Sequence, residues 1–186
     1  MNAFATGRDP QHAVVCATTG LLEKLNRSEL EAVVAHELSH IKNYDIRLMT
    51  IVSVLIGTLS ILINMAYRRS FFGGDRDDDN NNNNILAIIG IFLIIFAPLI
   101  AQLTQLAISR RREYFADASA VKLTRQPQGL INALKKLSTD NQKLETASTA
   151  TASLYITNPF KGNKIATMFS THPPIEDRIK ALEQML

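Results

Sequence analysis

The chain has 186 residues, enough for one domain or two small ones, and carries a net charge of +3. A single cysteine, Cys16, excludes an internal disulfide framework and a cysteine-based zinc site. With no Trp, 8 Phe and 4 Tyr, the chain has no stacking platform for single-stranded nucleic acid. Its basic residues cluster beside apolar segments, as membrane flanks do, so no nucleic-acid partner is expected.

Ala3 to Thr6 and Ala13 to Thr18 read as short strands joined by the turn residues Gly7-Arg8-Asp9-Pro10. Left at a sheet edge, Asn2 to Gly7 is able to hold an extended peptide through main-chain hydrogen bonds. That makes Asn2 a substrate-binding candidate, although a plain hairpin strand explains the segment equally well. His12 reads as solvated and Cys16 as a small core residue. Gly20 to Leu25 is a short helical piece. Ser28, with Glu31 three residues on, reads as a capping box that opens a helix running to about Asn43.

That helix carries His36-Glu37-Leu38-Ser39-His40. Residues four apart lie about 40° apart around a helix axis, so both imidazoles point the same way. Glu37 sits beside them, able to reach a water next to a shared metal without itself being a ligand.

Leu48 to Ala66 and Ile85 to Ile108 contain no charged residue. The first, as a helix, covers roughly 28 Å, close to a hydrocarbon core. No ordinary core in so short a chain needs two helices apolar on every face, so both are expected to cross a lipid bilayer. Between them, residues 68–84 hold an Asp-rich cluster and the run Asn80 to Asn84, which reads as a disordered tip. The cluster lacks the Gly and Glu positions of a calcium loop. Three parts are expected. Residues 1–47 and 109–186 are two halves of one domain, interrupted by 48–108 as a transmembrane hairpin.

Arg110 to about Leu123 should be helical and continuous with the second span. Pro127 opens an amphipathic helix with Leu130, Ile131, Leu134 and Leu137 at helical spacing. Thr146 to Ser153 reads as a mobile loop. Pro173-Pro174 precedes a last helix with Ile175, Ile179 and Leu182 on one face. Zinc in a catalytic site takes three protein ligands and one open position. The third ligand is therefore a carboxylate or His172. Glu113 in RRREYFADASA is the candidate, and Asp117, one turn later, suits the N–H of a ligand histidine.

HELSH, EYFAD, the opening NAFATG and the closing STHPPIEDRI together resemble the membrane zinc metalloproteases of the HtpX heat-shock family. These belong to the gluzincin group and are distantly similar to the CaaX prenyl endopeptidases. The resemblance covers nearly the whole chain, in order. It implies a mainly α fold with a small β-hairpin, a gluzincin-like domain interrupted by a two-helix transmembrane hairpin. It also implies one zinc ion per chain on His36, His40 and Glu113, Glu37 as the catalytic carboxylate and Asp117 as partner of a ligand histidine. Similar chains carry a further transmembrane hairpin before NAFATG, which this one is expected to lack.

The same resemblance implies quality control in the bacterial inner membrane, on damaged or misassembled membrane proteins and unfolded polypeptides, with cleavage on the cytoplasmic side. By resemblance His172 is a catalytic donor to the oxyanion, and Arg178 orients its loop or binds substrate. Helix continuing through both span junctions would put His40 roughly 12 Å and Glu113 roughly 8 Å from the span ends. Lys42, Arg47, Arg110, Arg111 and Arg112 stand on that side, against Arg68, Arg69 and Arg76 at the tip, which favours a cytoplasmic site. A non-catalytic membrane adaptor keeping its metal for stability fits the same residues. A site-2-type intramembrane protease fits less well, because Glu29, Glu31, Lys42 and Asp45 on the metal helix and just beyond it are costly in lipid.

Overall fold

In a computed structural model the described residues are 1–72, 82–140, 156 and 171–186, with backbone alone at 70–72 and 82–87. Two antiparallel strands, β1 (Ala3–Gly7) and β2 (Ala13–Ala17), pair with Ala3 opposite Ala17 and Gly7 opposite Ala13. Helices follow: α1 (Thr19–Lys24), α2 (Arg27–Lys42), α3 (Asp45–Phe72), α4 (Asn82–Thr124), α5 (Pro127–Thr139) and α6 (Ile175–Glu183). The chain is mainly helical with a small sheet, as the sequence indicates.

The expected turn after β1 holds a short 3-10 helix, Pro10–His12, whose start is capped by Asp9. Gly7 sits at φ 145, and a Cβ there would lie 2.3 Å from the His12 carbonyl oxygen, so this corner needs glycine. His12 is exposed beside Asp9, as expected. Cys16 is exposed too, and not in the core. The reason is strand parity: Ala3 and Ala5 fill the buried face of the hairpin, and Cys16 points the other way.

The capping box of α2 lies two residues earlier than the Ser28–Glu31 pair. Asn26 Oδ1 accepts from the Glu29 amide at 2.9 Å, and Glu29 Oε2 accepts from the Asn26 amide at 2.9 Å. Lys136 Nζ, 2.7 Å from Glu29 Oε2, ties that cap to α5. Ser28 instead bonds Gln126, and Gly129 packs so close that a Cβ would meet the Ser28 carbonyl at 2.9 Å.

Alanines on α2 and α4 let the helices meet closely. Ala32, Ala35 and Ala120 pack with Leu130, Ile131 and Leu134 of α5 and Leu182 of α6. Val33 faces a second cluster with Ala3, Leu21, Leu25, Ala133 and Leu137. Each such buried Leu or Ile contributes about 1.5–3 kcal/mol.

One compact unit comprises Met1–Leu48 with Leu106–Leu186, the other Met49–Gln105. In the second unit both helices are long and apolar enough to cross a membrane. The relevant stretches are 0% and 6% buried, unlike the core helices of a globular protein. The expected disordered tip is helical at 68–72 and 82–84, where α3 and α4 carry on past the apolar stretch. Its remainder, 73–81, and the Thr146 to Ser153 loop lie outside the described residues.

At the first span junction helix does not continue. Asn43 caps α2, Tyr44 takes φ 55, and the chain turns before α3 begins at Asp45. A left-handed residue just past a helix end is the usual stop, here without glycine. The 12 Å projection for His40 therefore fails. At the second junction α4 is one helix through Glu113 and Asp117, as expected.

Candidate metal centre

Helix α2 presents His36 and His40 one turn apart, and the C-terminal part of α4 brings Glu113 against them. One donor atom from each lies within 4.8 Å of the others. The two Nε2 atoms are 3.1 Å apart. Glu113 Oε1 is 3.4 Å from His40 Nε2, and its Oε2 is 3.6 Å from His36 Nε2. Among the alternatives open for the third position, the carboxylate meets both imidazoles. His36 is fully buried, and Glu113 nearly so.

The other imidazole nitrogens are taken. His36 Nδ1 is 2.9 Å from Asp117 Oδ1, and His40 Nδ1 is 2.8 Å from Asp45 Oδ2. A carboxylate on Nδ1 keeps the proton there and turns the Nε2 lone pair outward. Two lone pairs and a carboxylate then converge on one point. The Arg178 guanidinium lies beside them, 3.2 Å from Glu113 Oε2 and 3.4 Å from His36 Nε2, and two imidazole nitrogens with a carboxylate are a donor set that fits a metal ion. Donors about 2.0–2.2 Å from a tetrahedral ion lie roughly 3.3–3.6 Å apart, close to the spacing here. Burial opposes a charged His36, but Asp117 and Glu113 outweigh it and push the imidazole up to about 9.

Glu37 is 2% exposed. Burial lifts its carboxyl above the usual range, opposed by the charges of His36 and His40 and reinforced by that of Glu113. A carboxylate with raised proton affinity beside two imidazoles suits proton transfer. His172, held before Pro173-Pro174, has Nδ1 3.2 Å from Glu113 Oε2, which brings it to the same cluster.

Arg178, expected to orient the His172 loop or bind substrate, is fully buried. Its Nε and Nη2 fork onto Asp117 at 2.8 and 2.6 Å, and Nη1 reaches Glu113 at 3.2 Å. Asn2 is likewise buried, at 2% exposure. Its Oδ1 accepts from the Ala3 amide at 3.1 Å, and its backbone pairs with Thr18. Each side chain thus has a buried partner within the fold. Asp45 is the member that sequence reasoning missed. It is 4% exposed and also accepts from Arg112 Nη2. A small recess lined by Gly7, Arg8, Tyr44 and Arg47, with room for about one water, lies beside His40.

The Peptidase family M48 model matches residues 1–186. A protease HtpX homolog of Ligilactobacillus salivarius is 54% identical over 188 residues, 99% of this chain and 63% of its own length. Another, from Dictyoglomus turgidum, is 52% identical over 184 residues, 99% and 60% respectively. The crystal structure of S. mikatae Ste24p is similar with a TM-score of 0.61 and 26% identity, covering 98% of this chain and 42% of that one. The chain thus spans less than two thirds of the curated relatives it matches.

Proposed function

Because the chain belongs to peptidase family M48, we propose that it is a membrane-anchored zinc metalloendopeptidase. The observation that carries this reading is the convergence of His36, His40 and Glu113, each imidazole backed by its own carboxylate. His36, His40 and Glu113 would hold one zinc ion. Bound there, it supplies Lewis-acid polarisation and acidifies water. Glu37 takes a proton from the attacking water and returns it to the leaving amine. Asp117 fixes the tautomer of His36, and Arg178 holds Asp117 in place. Residues 1–47 and 109–186 together form the catalytic domain, and 48–108 the transmembrane hairpin.

His172 donates to the oxyanion of the tetrahedral intermediate. Its replacement by alanine is expected to lower kcat by about 10²- to 10³-fold, about 2.7–4 kcal/mol. Metal content should stay at the wild-type level. Unaltered turnover would return His172 to a structural part.

Substrate lies along the outer edge of β1, where the odd-numbered residues turn their main-chain groups away from β2. Ile156 already uses the first of these, its amide donating to the Ala3 carbonyl at 3.0 Å. Ala5 and Gly7 continue the row toward the recess beside His40. The substrates in this reading are damaged or misassembled membrane proteins and unfolded polypeptides in a bacterial inner membrane.

The test is zinc quantification with peptide cleavage on purified protein. Wild type should hold one zinc and lose activity to a chelator, and Glu113→Ala should hold little zinc. Zinc without any cleavage would indicate the adaptor, and full zinc in Glu113→Ala would remove that residue from the ligands.

The site faces the cytoplasm in this reading, on the side rich in Lys and Arg. A cysteine placed by Asn82→Cys in a Cys16→Ser background should react with an impermeant thiol reagent in intact cells. Protection until the membrane is opened would invert the topology.

A further inference from the structure

We infer that Asp45 is a positioning residue of the metal centre, holding His40 as Asp117 holds His36, with Arg112 as its anchor. The inference rests on the proposed metal centre and adds to it a residue outside the motifs. Asp45 lies five residues past His40. Continued helix would put it 500° around the axis, 140° off the His40 face, by the ordinary 100° per residue. The left-handed turn at Tyr44 brings it back.

Its two carboxylate oxygens do different work. Oδ2 lies 2.8 Å from His40 Nδ1, and Oδ1 accepts from Arg112 Nη2. The carboxyl is 6% exposed, so it has little water to exchange with, and the Arg112 side chain is 22% exposed. Arg112 immediately precedes Glu113 on α4. One ion pair therefore joins the residue behind His40 to the backbone that carries Glu113. It fixes the imidazole's rotation and tautomer on one side and the approach of the third donor on the other. Without Asp45 the ring is free to place its proton on Nε2, which removes the lone pair facing the other donors.

Loss of such an outer hydrogen bond typically costs 10- to 100-fold in metal affinity. Zinc affinity is measured by competition with a chromophoric chelator on the full-length, detergent-solubilised chain, for wild type, Asp45→Ala, Asp45→Asn and Arg112→Gln. Metal-free melting temperatures are read in parallel. The expected result for Asp45→Ala is a loss in that range of about 10- to 100-fold. Asp45→Asn, which keeps a neutral acceptor, falls between it and wild type, and Arg112→Gln gives a smaller loss. Cobalt loaded in place of zinc should show a shifted visible spectrum in Asp45→Ala. Should Asp45→Ala fail to fold, Asp45→Asn and Arg112→Gln decide alone. Wild-type affinity in both overturns the inference, as does a lower metal-free melting temperature with unchanged affinity. A wild type that binds no zinc overturns the metal centre itself, a distinguishable outcome.

Discussion

Glutamine in place of Glu37 is expected to reduce peptide cleavage by about 10²- to 10⁴-fold while the protein keeps its zinc. The change is nearly isosteric and removes only the ability to take and return a proton. Glu37 is 2% exposed, and burial already works against its charged form. A neutral amide relieves that cost, so the variant should fold at least as well as wild type. Activity and zinc content therefore separate in this variant, as they do not in Glu113→Ala. The measurements are kcat on a peptide substrate and zinc per chain on the same preparation. Cleavage at the wild-type rate would remove Glu37 from the chemistry. Loss of zinc would make it a ligand.

Three members of the cluster, His36, Glu37 and His40, were legible as a group because one helix period fixes their relation, whereas Glu113 lies on a separate helix and no local spacing ties it to them. The mainly helical fold was legible for the same reason, since long apolar runs and Leu130, Ile131, Leu134 and Leu137 at helical spacing leave little choice. What escaped depends on relations that spacing does not encode. Asp45 reaches His40 only because the chain reverses at Tyr44, which lacks the glycine that usually signals such a stop. Arg178 meets Asp117 across 61 positions, and nothing local distinguishes it from a surface arginine.

The cap of α2, expected at Ser28 with Glu31, forms two residues earlier at Asn26 with Glu29. Asn ranks with Ser at that position, so cap preference alone did not decide. The third residue did: Glu29 also bonds Lys136 of α5, a tertiary contact invisible locally. Cys16 was misjudged for want of the hairpin's parity, which follows from which face Ala3 and Ala5 bury.

Asp117→Ala is expected to destabilise the chain by about 3–5 kcal/mol, because it strands a fully buried guanidinium. In wild type, burial weighs against the charge of Arg178, and Asp117 and Glu113 more than restore it. With Asp117 gone, Glu113 becomes the nearest carboxylate, already 3.2 Å from Nη1. The arginine would then compete with the zinc for the third donor. Arg178→Met combined with Asp117→Leu removes both charges, and an apolar pair of similar bulk often replaces a buried ion pair at no net cost. That double variant should recover most of the lost stability in denaturant unfolding of the solubilised chain. Zinc affinity should not recover, because His36 Nδ1 still lacks its acceptor, and a deficit of about 10- to 100-fold should persist. Wild-type stability in Asp117→Ala would mean the guanidinium has found water or another anion. Zinc affinity restored in the double variant would mean Asp117 serves the arginine alone and leaves His36 to orient itself.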